Sequence, residues 1–139
     1  MSTAKSVNVR EVIDKLAKEF SDRCGEDVIG IIILRDDGLP IYSYFLKYSG
    51  DPKDAAAMIS LAMGPSRRAY RTLMNNARLD EVILSGPEGK IIVRSLPLDE
   101  YIGGRRIYIG VLTSKEPNLG LILTELDRLC RDVLNIFLR

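Results

Sequence analysis

Residues 28–35, VIGIIILR, make a run that a half-exposed strand does not carry. β-branched side chains favour extended backbone, and successive side chains on a strand point to opposite faces. Here both faces are apolar, so both need cover, which predicts a strand inside a sheet and not at its rim. Gly30 is the one position in the run without a side chain and predicts a close neighbour there.

The remaining elements fall into place around that strand. Val9, Val12, Ile13, Leu16 and Phe20 recur at helical spacing over 9–23, with Asn8 and Glu11 as a capping-box-like start and Gly25 as a left-handed stop. Asp37–Gly38 in DDGLP predicts a hairpin into IYSYFLKY (41–48), where Ile41, Ser43, Phe45 and Lys47 face one way and Tyr42, Tyr44, Leu46 and Tyr48 the other. Asp51 caps a second helix with Pro52 in its first turn. LDEVILSG (79–86) and KIIVRSLP (90–97) read as a strand pair about the turn GPEG, and IYIGVLTS (107–114) as a fifth strand. Leu119, Ile122, Leu126, Leu129, Cys130, Val133, Leu134 and Phe137 then mark a last helix over 119–138. The expected order is α-β-β-α-β-β-β-α, an α+β sandwich with no internal repeat.

Composition excludes several chemistries. The 139 residues, 46% of them apolar, suit one domain with an ordinary core. A net charge of +1 supplies no broad basic face for nucleic acid. There is no histidine, which removes Ser-His-Asp triads, the commonest general base and most zinc geometries. Cys24 and Cys130 form no CxxC pair and read as two small buried apolar residues, with a disulfide between them left open. No catalytic, cofactor or metal site is expected. The N-terminal MSTAKSVNVREV lacks a signal-peptide apolar region, and no run is long enough to span a bilayer, so a cytoplasmic protein without membrane insertion is expected.

Gly30 in the first strand, DDGLPI (36–41) at the hairpin, the alanine-rich start of the second helix and PNLGLIL (117–123) before the last helix occur colinearly, and together they resemble the roadblock/dynein light chain seven family, which includes MglB-type proteins. The resemblance covers residues 8–138 or so of a single roadblock domain spanning 1–139. It implies a profilin- or longin-like fold: a five-stranded antiparallel sheet with the second helix on one face and the first and third on the other. It implies a homodimer made by third strands pairing and second helices packing together. It also implies no enzymatic activity of the chain's own, and a role as platform or regulator of a Ras-like small GTPase or as an adaptor. Gly64 and Pro65 inside the second helix depart from the family's usual uninterrupted run.

That helix carries the candidate surfaces. Its first half, Ala55 to Met63, leaves only Asp54 and Ser60 as polar positions, more apolar surface than one sheet face covers. The excess is expected to meet a second protein surface, since exposed apolar patches mark interfaces, although burial within the monomer is the alternative. Ala56, Ile59, Ser60 and Met63 are the expected dimer contacts, joined by Val82, Ile83 and Leu84 of the third strand if that edge pairs with its mate. Without pairing, Asp80 and Glu81 would simply protect an edge. In the second half, helical spacing sets Ala69, Tyr70, Leu73, Met74 and Ala77 on a buried face opposite Arg67, Arg71 and Arg78, with Arg68 beside them. These four arginines are the candidate GTPase-docking residues, the alternative being a solvated basic face. Pro65 predicts either a kink or a fresh helix start.

Other candidates are weaker. GPEGK (86–90) lacks phosphate-loop spacing and reads as a hairpin turn. Asp36, Asp37, Asp99 and Glu100 read as turn formers, and GGRR (103–106) as an exposed hairpin with the composition to hold an anion. The expectation is a homodimeric GTPase regulator or scaffold; its rivals are a structural adaptor without effect on nucleotide turnover and a small-molecule sensor.

Overall fold

The computed structural model describes residues 8–96 and 106–137. Eight main elements follow the expected order: α1 (Val9–Cys24), β1 (Val28–Arg35), β2 (Pro40–Phe45), α2 (Pro52–Leu73), β3 (Glu81–Gly86), β4 (Gly89–Leu96), β5 (Ile107–Thr113) and α3 (Leu119–Phe137). The expected turn formers Asp99 and Glu100 and residues 103–105 of GGRR lie outside the described residues, as do residues 1–7 and 138–139.

The five strands form one antiparallel sheet in the order β2-β1-β5-β4-β3. β1 is therefore an interior strand, as its two apolar faces require. Its odd-numbered residues Ile31 and Ile33 pack with α1 and α3, while Ile32 and Leu34 pack with α2. This is the α+β profilin/longin-like sandwich, with α1 and α3 on one face and α2 on the other.

Local chemistry sets the boundaries. Asn8 caps α1 by accepting from the Arg10 amide at 3.0 Å, and Gly25 ends it with φ 68°. Asp51 accepts from the Lys53 amide at 2.9 Å at the start of α2. β2 stops at Phe45, short of the expected Tyr48, and a register shift opposite Ile33 and Leu34 breaks its alternation. Ile41 consequently joins Tyr42 and Tyr44 on the α1 side, while Phe45 keeps its expected place on the α2 side.

Two glycines make room for a neighbouring side chain. A Cβ on Gly30 would sit 2.7 Å from the Phe45 ring, the close neighbour expected there. A Cβ on Gly110 would lie 3.0 Å from Ile32 Cγ2 and 3.3 Å from Ile59 Cδ1, so the bare backbone of β5 is what α2 rests on.

α2 runs unbroken through Gly64 and Pro65; no second helix begins there. Pro65 deprives the Leu61 carbonyl of its helical donor, but Leu61 lies on the exposed side, where water can reach that oxygen. Ser66 Oγ donates to the Ala62 carbonyl at 2.8 Å, adding a local bond to the same turn. The helix ends at Leu73, with Asn75 and Asn76 both left-handed at φ 54° and 64°. The sequence expectation of one continued helical face through Ala77 and Arg78 therefore fails, because two consecutive left-handed residues cannot extend a right-handed helix.

Candidate functional site: an open apolar groove beside α2

α2 packs over β1 and β2, rests on the Gly110 backbone of β5 and reaches Val93 of β4, leaving an open strip of β3 and β4 beside it on that face. The result is a groove of about 280 Å³ whose floor is Val82, Leu84, Ile91, Val93 and Leu112, and whose wall is Ala55, Met58, Ile59 and Ala62 of α2. Phe45 and Tyr48 close one end, with their rings edge to face at 5.0 Å. Leu84, Ile91 and Leu112 carry the apolar surface onward to the β3–β4 turn. The groove has no charged lining residue. It is suited to burying apolar surface, and each large aliphatic side chain covered contributes about 1.5–3 kcal/mol.

The structure divides the expected dimer residues. Ala56 and Met63 are fully buried against the sheet, in the small core with Ile32, Leu34, Val93 and Tyr108. Their side chains are unavailable to a partner. Ser60 faces the β1–β2 hairpin and donates to the Asp36 carbonyl at 2.5 Å. Ile59, half-buried, lines the groove together with Val82 and Leu84, while Ile83 points to the other face of β3 and is 37% exposed. The outward α2 positions that sequence reasoning passed over are Met58 (59% exposed), Leu61 (74%) and Leu73 (78%). An undivided apolar run conceals which side chains face the sheet, because helical periodicity fixes a stripe only when polar residues mark its borders.

The arginines are also redistributed. The sheet-facing row Ala56, Ser60, Met63 continues directly to Arg67, whose Nη1 donates to the buried Tyr108 hydroxyl at 2.7 Å. Burial raises the Tyr108 pKa, with the Arg67 and Arg106 charges opposing that shift, so the hydroxyl is protonated at neutral pH. Arg78 lies beyond the helix and pairs with Asp80 at 2.8 Å. Arg68 and Arg71 are exposed on the flank of α2 that passes the β1–β2 hairpin, where Gly38 meets the Ala57 backbone. The expected buried face of Ala69, Leu73, Met74 and Ala77 is exposed. α2 is thus divided lengthwise into an apolar flank and a basic flank, not end to end.

A second polar feature escaped sequence reasoning. Arg94 of β4 donates to Glu81 of β3 at 2.6 and 2.9 Å and to Asp127 of α3 at 2.6 Å, and its side chain is 17% exposed. It ties the edge strand to the helix layer. Cys24 and Cys130 are free and buried, and burial pushes their thiols up to about 11 and about 12. Thiolates, the reactive form, are therefore scarce at neutral pH. Among the described residues no three potential metal-ligating side chains converge, and no helix is long and apolar enough to cross a membrane.

Comparison with known proteins agrees with this geometry. The Roadblock/LC7 domain family profile matches residues 24–101. Among solved structures, a Roadblock/LC7 domain from Streptomyces avermitilis is similar at 17% identity, covering 91% of this chain and 98% of that one, with a TM-score of 0.75. Myxococcus xanthus MglB is similar at 14% identity over 94% of this chain and 95% of its own, TM-score 0.71. A profilin solved as the LokiProfilin1/rabbit actin complex is similar at 12% identity over 91% and 96%, TM-score 0.54. Identities this low establish shared fold alone. Sequence comparison with curated proteins finds no match.

Proposed function

Since the chain belongs to the Roadblock/LC7 domain family, a family of regulatory and adaptor domains, we propose that it is a cytoplasmic, non-enzymatic homodimer that docks and regulates a Ras-like small GTPase. The observation that carries this reading is the open apolar groove with an exposed, unpartnered α2 flank beside it. A second copy covers that surface: α2 meets α2, and β3, an edge strand, pairs with its equivalent about a two-fold axis. Ile59, Val82, Ile83 and Leu84 serve at this contact together with Met58 and Ala62, while Ala56 and Met63 support it from below.

The basic flank supplies the docking cations. Arg68 and Arg71 are exposed and have no acidic partner among the described residues, so an acidic GTPase surface can take them without breaking an existing ion pair. Arg67 acts by holding α2 to Tyr108, and Arg78 is already paired to Asp80. Regulation works by positioning the GTPase's own switch loops, because the docking surface offers cations and apolar contacts but no general base.

The test is GTP turnover by a Ras-like GTPase from the same genome, ideally a chromosomal neighbour, with and without this protein. Altered turnover is expected, with Arg68→Glu/Arg71→Glu weakening binding about tenfold or more and Arg78→Glu leaving it near wild type. Binding without any change in turnover would assign the structural adaptor instead. The groove's apolar lining also favours a small-molecule sensor as the second reading; saturable binding of an apolar dye that persists in the dimer would support it.

A further inference from the structure

β2 is the second edge of the sheet, on the far side from β3. At its end the Leu46 amide donates inward to the Ile29 carbonyl at 2.9 Å. Residues of an antiparallel strand turn their N–H and C=O groups alternately to one neighbour and to the other. Phe45 and Ser43, opposite Gly30 and Ile32 in the register, therefore aim theirs away from β1, where no further strand follows among the described residues. The Ile41 carbonyl is taken by Arg10 Nη2 of α1 at 3.3 Å, and Pro40 blunts the same end of the edge. The other end, Ser43 to Leu46, is left open. Sheet edges are ordinarily guarded by charged side chains; residues 41–46, IYSYFL, carry none.

Side chains beside this edge specify what fits it. A cleft of about 380 Å³ opens next to Tyr42 and Ser43, walled by Asn8, Arg10, Glu11 and Asp14. Arg10 is engaged with the β2 backbone, and Asp14 is served by the Tyr42 hydroxyl at 2.8 Å and by Lys18 at 3.0 Å. Glu11 is exposed and makes no ion pair among the described residues, so it is the cleft's free charge. Just past the strand, Leu46 is 58% exposed.

We propose that the β2 edge takes an extended segment of another protein as an added strand, a segment that carries a lysine or arginine four residues from a large apolar side chain. Ser43 and Phe45 each offer one main-chain donor and one acceptor to it. Directly opposed residues of an antiparallel pair share a face. A cation opposite Tyr42 therefore lies on the α1 side, where Tyr42 packs, beside the Glu11 carboxylate, and an apolar residue opposite Leu46 covers that side chain. Main-chain bonds hold such a strand and the two side-chain positions select it. Because β2 and β3 are opposite rims, this site requires neither the homodimer nor the GTPase docking proposed above, and both rims can be occupied together.

The probe is the synthetic peptide TLTVTKT, whose leucine and lysine are four apart, added to the isotope-labelled full chain. The Ser43 and Phe45 amides are expected to exchange freely with solvent in the chain alone and to become protected at millimolar peptide. Replacing the peptide's lysine with glutamate, or Glu11→Gln in the protein, should weaken binding about tenfold. Ser43→Pro removes an outward N–H that the fold does not use and should abolish binding. N-methylation of the third and fifth peptide residues makes the same cut from the other side, should Ser43→Pro fail to fold. Arg68→Glu/Arg71→Glu, on α2, should leave peptide binding unchanged. The proposal is overturned if the two amides gain no protection, or if affinity is indifferent to the lysine and to Glu11. It is overturned equally if the amides are protected in the free chain and lose that protection on dilution, which would give the edge to a second copy.

Discussion

The Tyr42 hydroxyl donates to Asp14 at 2.8 Å, joining β2 to α1 at the sheet's outer edge. This bond, with help from Lys18, holds the Asp14 carboxyl below the usual carboxylate range, while burial and the Asp14 bond raise Tyr42 well above an ordinary phenol. The signs follow from linkage. Asp14 is depressed on folding, so its contribution is present at neutral pH and is lost as pH falls through the carboxylate range. Tyr42 is raised, so its contribution holds below the unfolded phenol pKa of about 10 and declines above it. Tyr42→Phe is therefore expected to cost about 1 kcal/mol at neutral pH, the worth of an ordinary hydrogen bond. That difference from wild type should shrink below about pH 4 in urea titrations run across pH. A constant difference at all pH values would show that lost packing, not the bond, accounts for the effect.

At the scale of the element, α2 holds two residues of one type in opposite environments. Met63 is fully buried between Tyr108 and Val93 in the α2-side core, whereas Met58 is mostly exposed on the groove wall. Met63→Ala should lower stability by about 2–5 kcal/mol, the range for emptying a buried site. Met58→Ala should change the folding free energy of the isolated chain by less than about 0.5 kcal/mol, as surface substitutions do. Its effect should appear instead as weaker self-association at matched concentrations. Equal destabilisation by the two would mean that α2 is rotated from the orientation described. The same element shows where sequence reading ran out. Asp51 and Pro52 located its start correctly, because capping is local chemistry. Its sheet-facing row, Ala56 to Arg67, was not legible: alanine, serine and methionine on every side leave no polar border, and an arginine completes the row only because Tyr108 waits beneath it.

At the scale of the molecule, β3 is the edge on which the proposed homodimer depends. It is an edge strand with Ile83 and Leu84 half exposed, beside an uncovered groove, and such an edge is a template for pairing. Leu84→Lys should leave the thermal unfolding midpoint of the single chain nearly unchanged while converting the dimer to a monomer in sedimentation, since the side chain is exposed before association and buried after it. A dimer that survives Leu84→Lys would move the interface away from β3. Arg94 binds Glu81 of β3 and Asp127 of α3 at once, so this edge strand is tied to the helix layer.

The sequence by itself determined the order of elements, the interior place of VIGIIILR and the positions of caps and turns, because each depends on residues near one another in the chain: β-branched runs, Asx caps, Gly at positive φ. It also determined the roadblock resemblance, since the motifs that carry it are local and colinear. Only the tertiary structure decided which flank of α2 is left open, that Gly64 and Pro65 do not interrupt it, that Arg67 is drawn inward and that Arg94 bridges three elements. Those outcomes depend on how α2 seats on the sheet, where the bare Gly110 backbone of β5 meets Ile59 across a long sequence separation. Local patterning records what a segment can bury; the packing of distant segments decides which part of it is left for a partner.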